Sequence, residues 1–451
     1  MKKILLTFLI ISFILKISSH SKEEWKSRTI YQILTDRFSN EKDSPNYCSD
    51  LKKYCGGTYK GIIKHLSYIE GMGFDAIWIS PIVENYENSY HGYHLTNLYK
   101  LNPKFGSESD LKKLISECHK RNIWVMVDVV ANHVAPIGTD YSKITPFNKA
   151  EHYHDICHIT DWNNQWMVEN CRLSDLPDLK QENDFVANEL IKWINNIVRE
   201  YKFDGIRIDT VPEVPKWFWE KFAKSAGVFQ LGEVFNGNPD YVSSYQKVLD
   251  SVFNYPLYYT IKDSFCGNMR NLEGYYLHTR NKFKDPLALG IFVENHDNPR
   301  FLNKCRDWKK FKNAIIFSLF YEGIPVVYYG GEQYFSGGDD PLNREILWGK
   351  FNTNSEMYIA IREAIRVRKN KKIYNKKFVQ RFADNSFYAF TRGDVLICVT
   401  RGESCNRKIT YHEFKEGTKL CNIFNKNDCV KVISGTIDIN MEKDPKVYVQ
   451  K

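Results

Sequence analysis

The 451-residue chain contains no Asn-x-Ser/Thr triplet and therefore offers no acceptor for an asparagine-linked glycan. None of its eleven cysteines forms a Cys-x-x-Cys pair, which removes the usual sequence signal for structural zinc. Beyond the first residues no apolar run is long enough to cross a bilayer, and there is no internal repeat or low-complexity tract. A strong charge imbalance is also missing. The formal net charge is +9, or +6 without Lys2, Lys3 and Lys16, and lysines are interleaved with acids along most of the chain. Nucleic-acid binding is not implied.

At 43% apolar residues, a chain of this length can bury a substantial core, and one large domain plus a small one is expected. The opening "MKKILLTFLIISFILKISSHSKEEW" has a basic start, an apolar run from Ile4 to Leu15 and small polar residues after it. Residues 1–20 read as a cleaved secretory signal peptide. An uncleaved anchor is the poorer reading, because the run is short of a ~20-residue span and Lys16 interrupts it. The eleven cysteines, none of them in this leader, suit an oxidising compartment, and the spacings Cys48 to Cys55, Cys157 to Cys171 and Cys421 to Cys429 fit small closed loops. An odd count leaves at least one free thiol.

From Ile30 onward short apolar runs alternate with amphipathic stretches: "AIWISPI", "DLKKLISECHKRN", "IWVMVDVV", "NELIKWINNIVREYK", "FDGIRID". The rhythm continues to about residue 368, enough for about eight βα units, and predicts a closed (β/α)8 TIM barrel of the α/β class. The barrel is expected over 21–133 and 183–370. Residues 134–182, rich in Asn, Asp, His and aromatics, break the rhythm and read as a subdomain inserted after strand 3. Residues 371–451 show short alternating segments with frequent turns, the pattern of a C-terminal antiparallel β-sandwich.

In such barrels the site lies at the carboxyl ends of the strands. Four apolar runs end in chemistry-bearing residues: "VMVDVVANH" with Asp128, Asn132 and His133, "GIRID" with Arg207 and Asp209, "LGEVF" with Glu233, and "FVENHDNPRF" with His296 and Asp297. One strand-end carboxylate is commonly a cap or an ion-pair partner, but four strand ends together point to a site. Residues i and i+2 share a strand face, so Arg207 and Asp209 point the same way. Two carboxylates about 5 Å apart can cleave a glycosidic bond, one attacking the sugar carbon and the other protonating the leaving oxygen. Arg207 would hold Asp209 ionised, and His133 and His296 suit sugar hydroxyls.

The strings "DVVANH", "GIRID", "GEVF" and "FVENHD", in this order, resemble the four strand-end motifs of the α-amylase family of glycoside hydrolases, and "LPDL" at 176–179 resembles its fifth. "WKSRTIYQILTDRF", "CGGTYKGI", "YIEGMGFDAIWISP", "YHGY", "FVENHDNPRF" and "NREILW" are similar to secreted fungal-type members. The likeness runs from about Trp25 to the C-terminus and is weakest after residue 370. It implies Asp209 as nucleophile, Glu233 as general acid/base and Asp297 as the stabilising third carboxylate. Arg207, His133 and His296 would surround the cleavage subsite, with Tyr93 beneath its sugar. Asp340 and Arg344 would bind on the non-reducing side. Trp162 would stack on the leaving side, with core packing in the insert as the competing reading, and Phe235 would add stacking there.

The resemblance also implies a Ca²⁺ ion tying the insert to the barrel, bound by the side chains of Asn132 and Asp178 and the backbone carbonyls of Glu169 and Glu213. It agrees with the pairs Cys48–Cys55 and Cys157–Cys171, but offers serines in "DYVSSYQKV" where the family has its next disulfide. Cys118, Cys266, Cys305, Cys398 and Cys405 stay unassigned. "TVPEV" departs from the fungal pattern, which has lysine and histidine where Pro212 and Glu213 stand, so hydrogen bonds from this segment to a leaving-side sugar are expected to be lost or rerouted. The implied activity is a secreted, monomeric, retaining α-amylase acting on internal α-1,4 bonds of starch or glycogen. The alternatives are a maltooligosaccharide glucosidase or transglycosylase, and a weakly active glucan-binding protein.

Overall fold

The computed structural model of the chain describes residues 20–43 and 48–450. Apart from His20, the leader expected over residues 1–20 lies outside the described residues. His20 itself stacks on Trp124, with ring centroids 3.7 Å apart.

Eight short strands form one parallel sheet: β1 (Ile30–Gln32), β2 (Ala76–Ile79), β3 (Trp124–Val129), β4 (Gly205–Ile208), β5 (Phe229–Gly232), β6 (Ser251–Val252), β7 (Gly290–Ile291) and β8 (Ile324–Tyr328). They pair in the order β6-β5-β4-β3-β2-β1-β8-β7. A parallel bridge between Phe253 and Gly290 joins the two ends, and the Asn254 amide donates to the Gly290 carbonyl at 2.9 Å, so the sheet closes into a barrel. This is the (β/α)8 fold that the strand–helix rhythm predicts, with an all-parallel sheet covered by helices.

The two-residue period of a strand divides the core. On β3, Val125, Val127 and Val129 face the surrounding helices, while Trp124 and Met126 join Ile30, Ala76, Trp78, Phe229, Leu231 and Phe292 in the barrel interior. The inward set continues upward into Asp128. On β4, Ile206 and Ile208 face the helices, so Arg207 and then Asp209 must face inward. Gly205 begins that inward row because a Cβ there would lie 2.8 Å from the buried Trp25 ring. The barrel is thus apolar at the amino ends of its strands and charged at the carboxyl ends.

The covering helices carry their own start and stop signals. In the helix Asp184–Tyr201, the Asn183 side chain accepts from the amides of Phe185 and Val186. Val186, Leu190, Ile194 and Val198 bury one face, and Lys202 ends the helix in the left-handed region at φ 60°. Among the described residues no helix is long and apolar enough to cross a membrane.

Residues 378–450 form a six-stranded antiparallel sheet and a two-stranded ribbon, Ser404–Ile409 with Ile437–Glu442. Phe387–Arg392 is buried on both faces. Phe387 and Ala389 pack with Leu396, Ile439 and Met441 between sheet and ribbon, whereas Tyr388 and Phe390 pack toward Phe317 on the barrel.

Four disulfides are present among the described residues. Cys48–Cys55, Cys157–Cys171 and Cys421–Cys429 are the short-range spacings noted above. The fourth, Cys266–Cys305, joins two residues 39 apart that helix packing brings together. Cys118, Cys398 and Cys405 are free thiols.

Candidate active site

The parallel register of β3 and β4 sets Asp128 directly beside Arg207. Arg207 Nη1 donates to Asp128 Oδ1 at 3.0 Å and to Asp209 Oδ1 at 2.6 Å, and Nη2 lies 2.9 Å from Glu233 Oε2. One guanidinium, 1% exposed, therefore grips carboxylates from three consecutive strands. Asp128 also accepts from the Trp78 indole at 3.0 Å and the Tyr93 hydroxyl at 2.7 Å. Burial and its carboxylate neighbour Asp209 raise Asp128 to about 7, against the pull of Arg207.

Glu233 sits just past β5 and is almost completely buried. The Thr210 amide donates to its Oε2 at 3.2 Å and the Tyr255 hydroxyl to its Oε1 at 3.3 Å. Burial pushes its carboxyl well above the usual range, Asp209 and Asp297 push the same way, and Arg207 opposes them. Burial thus favours the protonated form of Glu233 beside an Asp209 gripped by arginine, the direction required of an acid next to a nucleophile.

Burial, reinforced by Arg207 and Arg344, pushes the His296 imidazole well below its usual range. Gln32 lies 2.7 Å from its Nδ1, and its Nε2 meets the Tyr93 hydroxyl at 2.7 Å, so the ring lies flat against Tyr93. His133 Nε2 bonds the Tyr93 carbonyl at 3.1 Å. Asp297 is the more open carboxylate, with His296 Nε2 at 3.4 Å and Arg344 Nη2 at 3.6 Å. Arg344 also reaches Asp340 at 3.1 Å.

A cleft of about 540 Å³ opens over these groups, lined by Tyr93, His133, Asp209, Glu233 and Asp297 together with Trp162 and Phe235. Trp162 is 55% exposed, so it is not a core residue of the insert. Pro212 and Glu213 also line the cleft. The Pro212 carbonyl accepts from Gln165, and the Glu213 carboxyl is buried with Oε2 unpartnered among the described residues. A larger cavity of about 650 Å³ lies at the amino ends of β3–β5, around Trp124 and Asp204, far from these carboxylates.

The insert meets the barrel at Asn132. The Leu179 amide donates to the Asn132 carbonyl at 2.8 Å, which brings Asp178 beside the Asn132 side chain. With its nitrogen turned inward, the Asn132 amide donates to Asp178 Oδ1 at 2.9 Å and to the Glu213 carbonyl at 3.1 Å. The opposite rotamer brings the amide oxygen to these two oxygens, an all-oxygen set suited to a hard cation. His154 holds the other Asp178 oxygen at 2.7 Å. Burial works against its charge, but Asp178 and Glu182 raise it to about 9. The Glu169 carboxylate accepts from Gln165 at 2.7 Å. Among the described residues no group of three or more His, Cys, Asp or Glu side chains is arranged to hold a metal ion by itself.

Of the strand-end residues read from the sequence, His133, Asp209, Glu233 and Asp297 line this cleft, Arg207 and His296 contact them, and Asp128 holds Arg207. The structure adds Trp78, Gln32, Tyr255 and Thr210 around them. None of these four stands in an acidic strand-end motif, and only the fold brings Tyr255 to Glu233. Comparison with known proteins agrees with this geometry. The family profile for the alpha amylase catalytic domain matches residues 32–378. Alpha-amylase 1 of Lipomyces kononenkoae is 43% identical over 370 residues, covering 78% of this chain and 59% of its own length, so the chain spans less than two thirds of that relative. Alpha-amylase 1 of Schwanniomyces occidentalis is 38% identical over 464 residues, covering 95% of this chain and 90% of its own. The solved structure of an alpha-amylase from Malbranchea cinnamomea superposes with a TM-score of 0.92 at 36% identity, covering 96% of this chain and 98% of that one. A profile match across most of the chain, carried by a barrel whose strand ends hold these carboxylates, means that the chain belongs to the α-amylase family of glycoside hydrolases.

Proposed function

We propose that the protein is a secreted, retaining, endo-acting α-amylase that hydrolyses internal α-1,4-glucosidic bonds of starch or glycogen. The observation that carries this reading is the single guanidinium of Arg207 bridging Asp209 and Glu233, with burial raising the Glu233 carboxyl. In the first step an Asp209 oxygen attacks the anomeric carbon while Glu233 gives its proton to the glycosidic oxygen, and the C–O bond to the leaving chain breaks. Glu233, now a carboxylate, then takes a proton from water, whose oxygen attacks the same carbon and releases Asp209. Asp297 stabilises the oxocarbenium-like charge in both steps. Tyr93 and His133 support the reacting sugar together with His296. Asp340 and Arg344 hold the non-reducing side, and Trp162 and Phe235 offer aromatic faces to the leaving side.

The Asn132 amide oxygen, Asp178 and the Glu213 carbonyl suit Ca²⁺, and the Glu169 carbonyl is the fourth ligand in this reading. An ion held by these oxygens would clamp the insert to the barrel, and the chemistry stays with the carboxylates. The paired cysteines, together with the basic and apolar start of the sequence, support secretion.

The test is a product profile of the full chain on starch, maltoheptaose and maltose, with Asp209→Asn and Glu233→Gln alongside. Endo-hydrolysis gives a rapid loss of iodine staining and first products of α configuration. Glucose release from maltose would instead identify a glucosidase, and products longer than the substrate a transglycosylase. Each variant is expected to lose at least about 10³-fold in kcat with its fold intact, because each role needs an ionisable carboxyl. Activity near wild type in either variant removes the assignment.

A further inference from the structure

Thr210, the residue after Asp209, adopts φ 45° and ψ 53°. This is the left-handed region, which a β-branched side chain rarely enters. Glycine would adopt this conformation readily and would keep the one backbone contact that matters here, the Thr210 amide donating to Glu233 Oε2 at 3.2 Å. What glycine cannot supply is the hydroxyl, which donates to Asp209 Oδ2 at 3.0 Å. The side chain lines the cleft beside Asp209 and Glu233.

The two oxygens of Asp209 are therefore held differently. Oδ1 is fixed at 2.6 Å by Arg207, whose guanidinium is itself locked by Asp128 and Glu233. The donor on Oδ2 is a hydroxyl, whose proton rotates about its C–O bond while a β-branched χ1 keeps the oxygen in place. A donor that turns away at no steric cost can leave Oδ2 when an anomeric carbon arrives, whereas an arginine held by three carboxylates cannot leave Oδ1.

We propose that Asp209 Oδ2 is the attacking oxygen and that Thr210 is a positioning residue, its hydroxyl aiming that oxygen until the sugar displaces the proton. In the step so aimed, the bond from Oδ2 to the anomeric carbon forms as the bond to the leaving oxygen breaks, and the Glu233 proton departs with the leaving chain. The inference rests on Asp209 being the nucleophile.

Four variants of the full chain, Thr210→Val, Thr210→Gly, Thr210→Ser and Asp209→Asn, are assayed on starch and on α-maltotriosyl fluoride, whose fluoride leaves without protonation by Glu233. Thr210→Val and Thr210→Gly are expected to lose about 10- to 100-fold in kcat on both substrates, with KM within about twofold. Thr210→Ser is expected to stay within about threefold of wild type. Glycine tolerates the backbone, so it carries the test if valine fails to fold. Wild-type kcat in the glycine variant overturns the proposal, as does a serine variant as slow as glycine. A loss confined to starch also overturns it, because that defect would lie in Glu233. If Asp209→Asn stays active on the fluoride, the failure belongs to the reading of Asp209 and not to Thr210.

Discussion

At the scale of single residues the site trades stability for chemistry. Glu233 is a buried carboxyl whose pKa is raised, first by burial and then by Asp209 and Asp297. A carboxyl raised in the folded state adds stability that is fully present below its unfolded value of ~4.5 and is lost as pH climbs through the folded value. Glu233→Gln removes the titration while keeping the shape. The melting temperature of the glutamine variant is therefore expected to match wild type near pH 4 and to exceed it increasingly toward pH 8. Calorimetry at four or five pH values checks this, and a constant difference across the range would contradict a raised Glu233. Asp128, at about 7, adds a background slope of the same sign to both proteins and cancels in the comparison.

At the scale of elements, the insert is tied down by contacts beyond its own segment. It has little regular structure, with one six-residue helix, Gln165–Asn170, and two short 3-10 turns. It is held by the disulfide Cys157–Cys171, by the backbone pairing of Asn132 with Leu179, and by Gln165, which reaches the Pro212 carbonyl at 3.0 Å. An ion bound at Asn132, Asp178 and Glu213 would join β3, the insert and the segment after β4, and would stabilise the folded state by linkage. A chelator is expected to lower the melting temperature by several degrees and excess Ca²⁺ to restore it, while Mg²⁺, which demands a tight octahedron, restores less. Identical melting curves with and without chelator would remove the ion from this site.

For the whole molecule, the C-terminal sheet is bound to the barrel by a buried cation and not by apolar contact alone. Arg392 is fully buried, and its guanidinium donates to the carbonyls of Phe320 and Tyr321 on the barrel and of Ile373 and Lys376 in the connection. Lys309 and Lys312 meet Asp444 nearby. Arg392→Met keeps most of the volume but leaves those buried carbonyls without their donor. A loss of about 2–4 kcal/mol in denaturant unfolding is expected, with starch hydrolysis by the folded fraction unchanged. A loss below about 0.5 kcal/mol would show that the interface does not depend on this residue.

Much of the site was legible because strand geometry is local. Alternation on "GIRID" puts Arg207 and Asp209 on one face, and the apolar runs ending in Asp128, Glu233 and Asp297 mark strand ends without any tertiary information. The barrel followed from the repeated strand–helix rhythm, which depends only on hydrophobic period. The pairing of Cys266 with Cys305, the Tyr255 hydroxyl on Glu233, His154 on Asp178 and the upward shift of the Glu233 carboxyl were not legible. Each depends on packing between segments far apart in the chain or on the desolvation that follows, and no linear pattern carries either. The left-handed Thr210 belongs to the same class, because its backbone is set by what β4 and β5 must bring together. The sequence by itself determined which side chains stand at the strand ends and which way they face; only the tertiary structure decided which of them share a proton, a donor or a charge, since those depend on distance and burial in three dimensions.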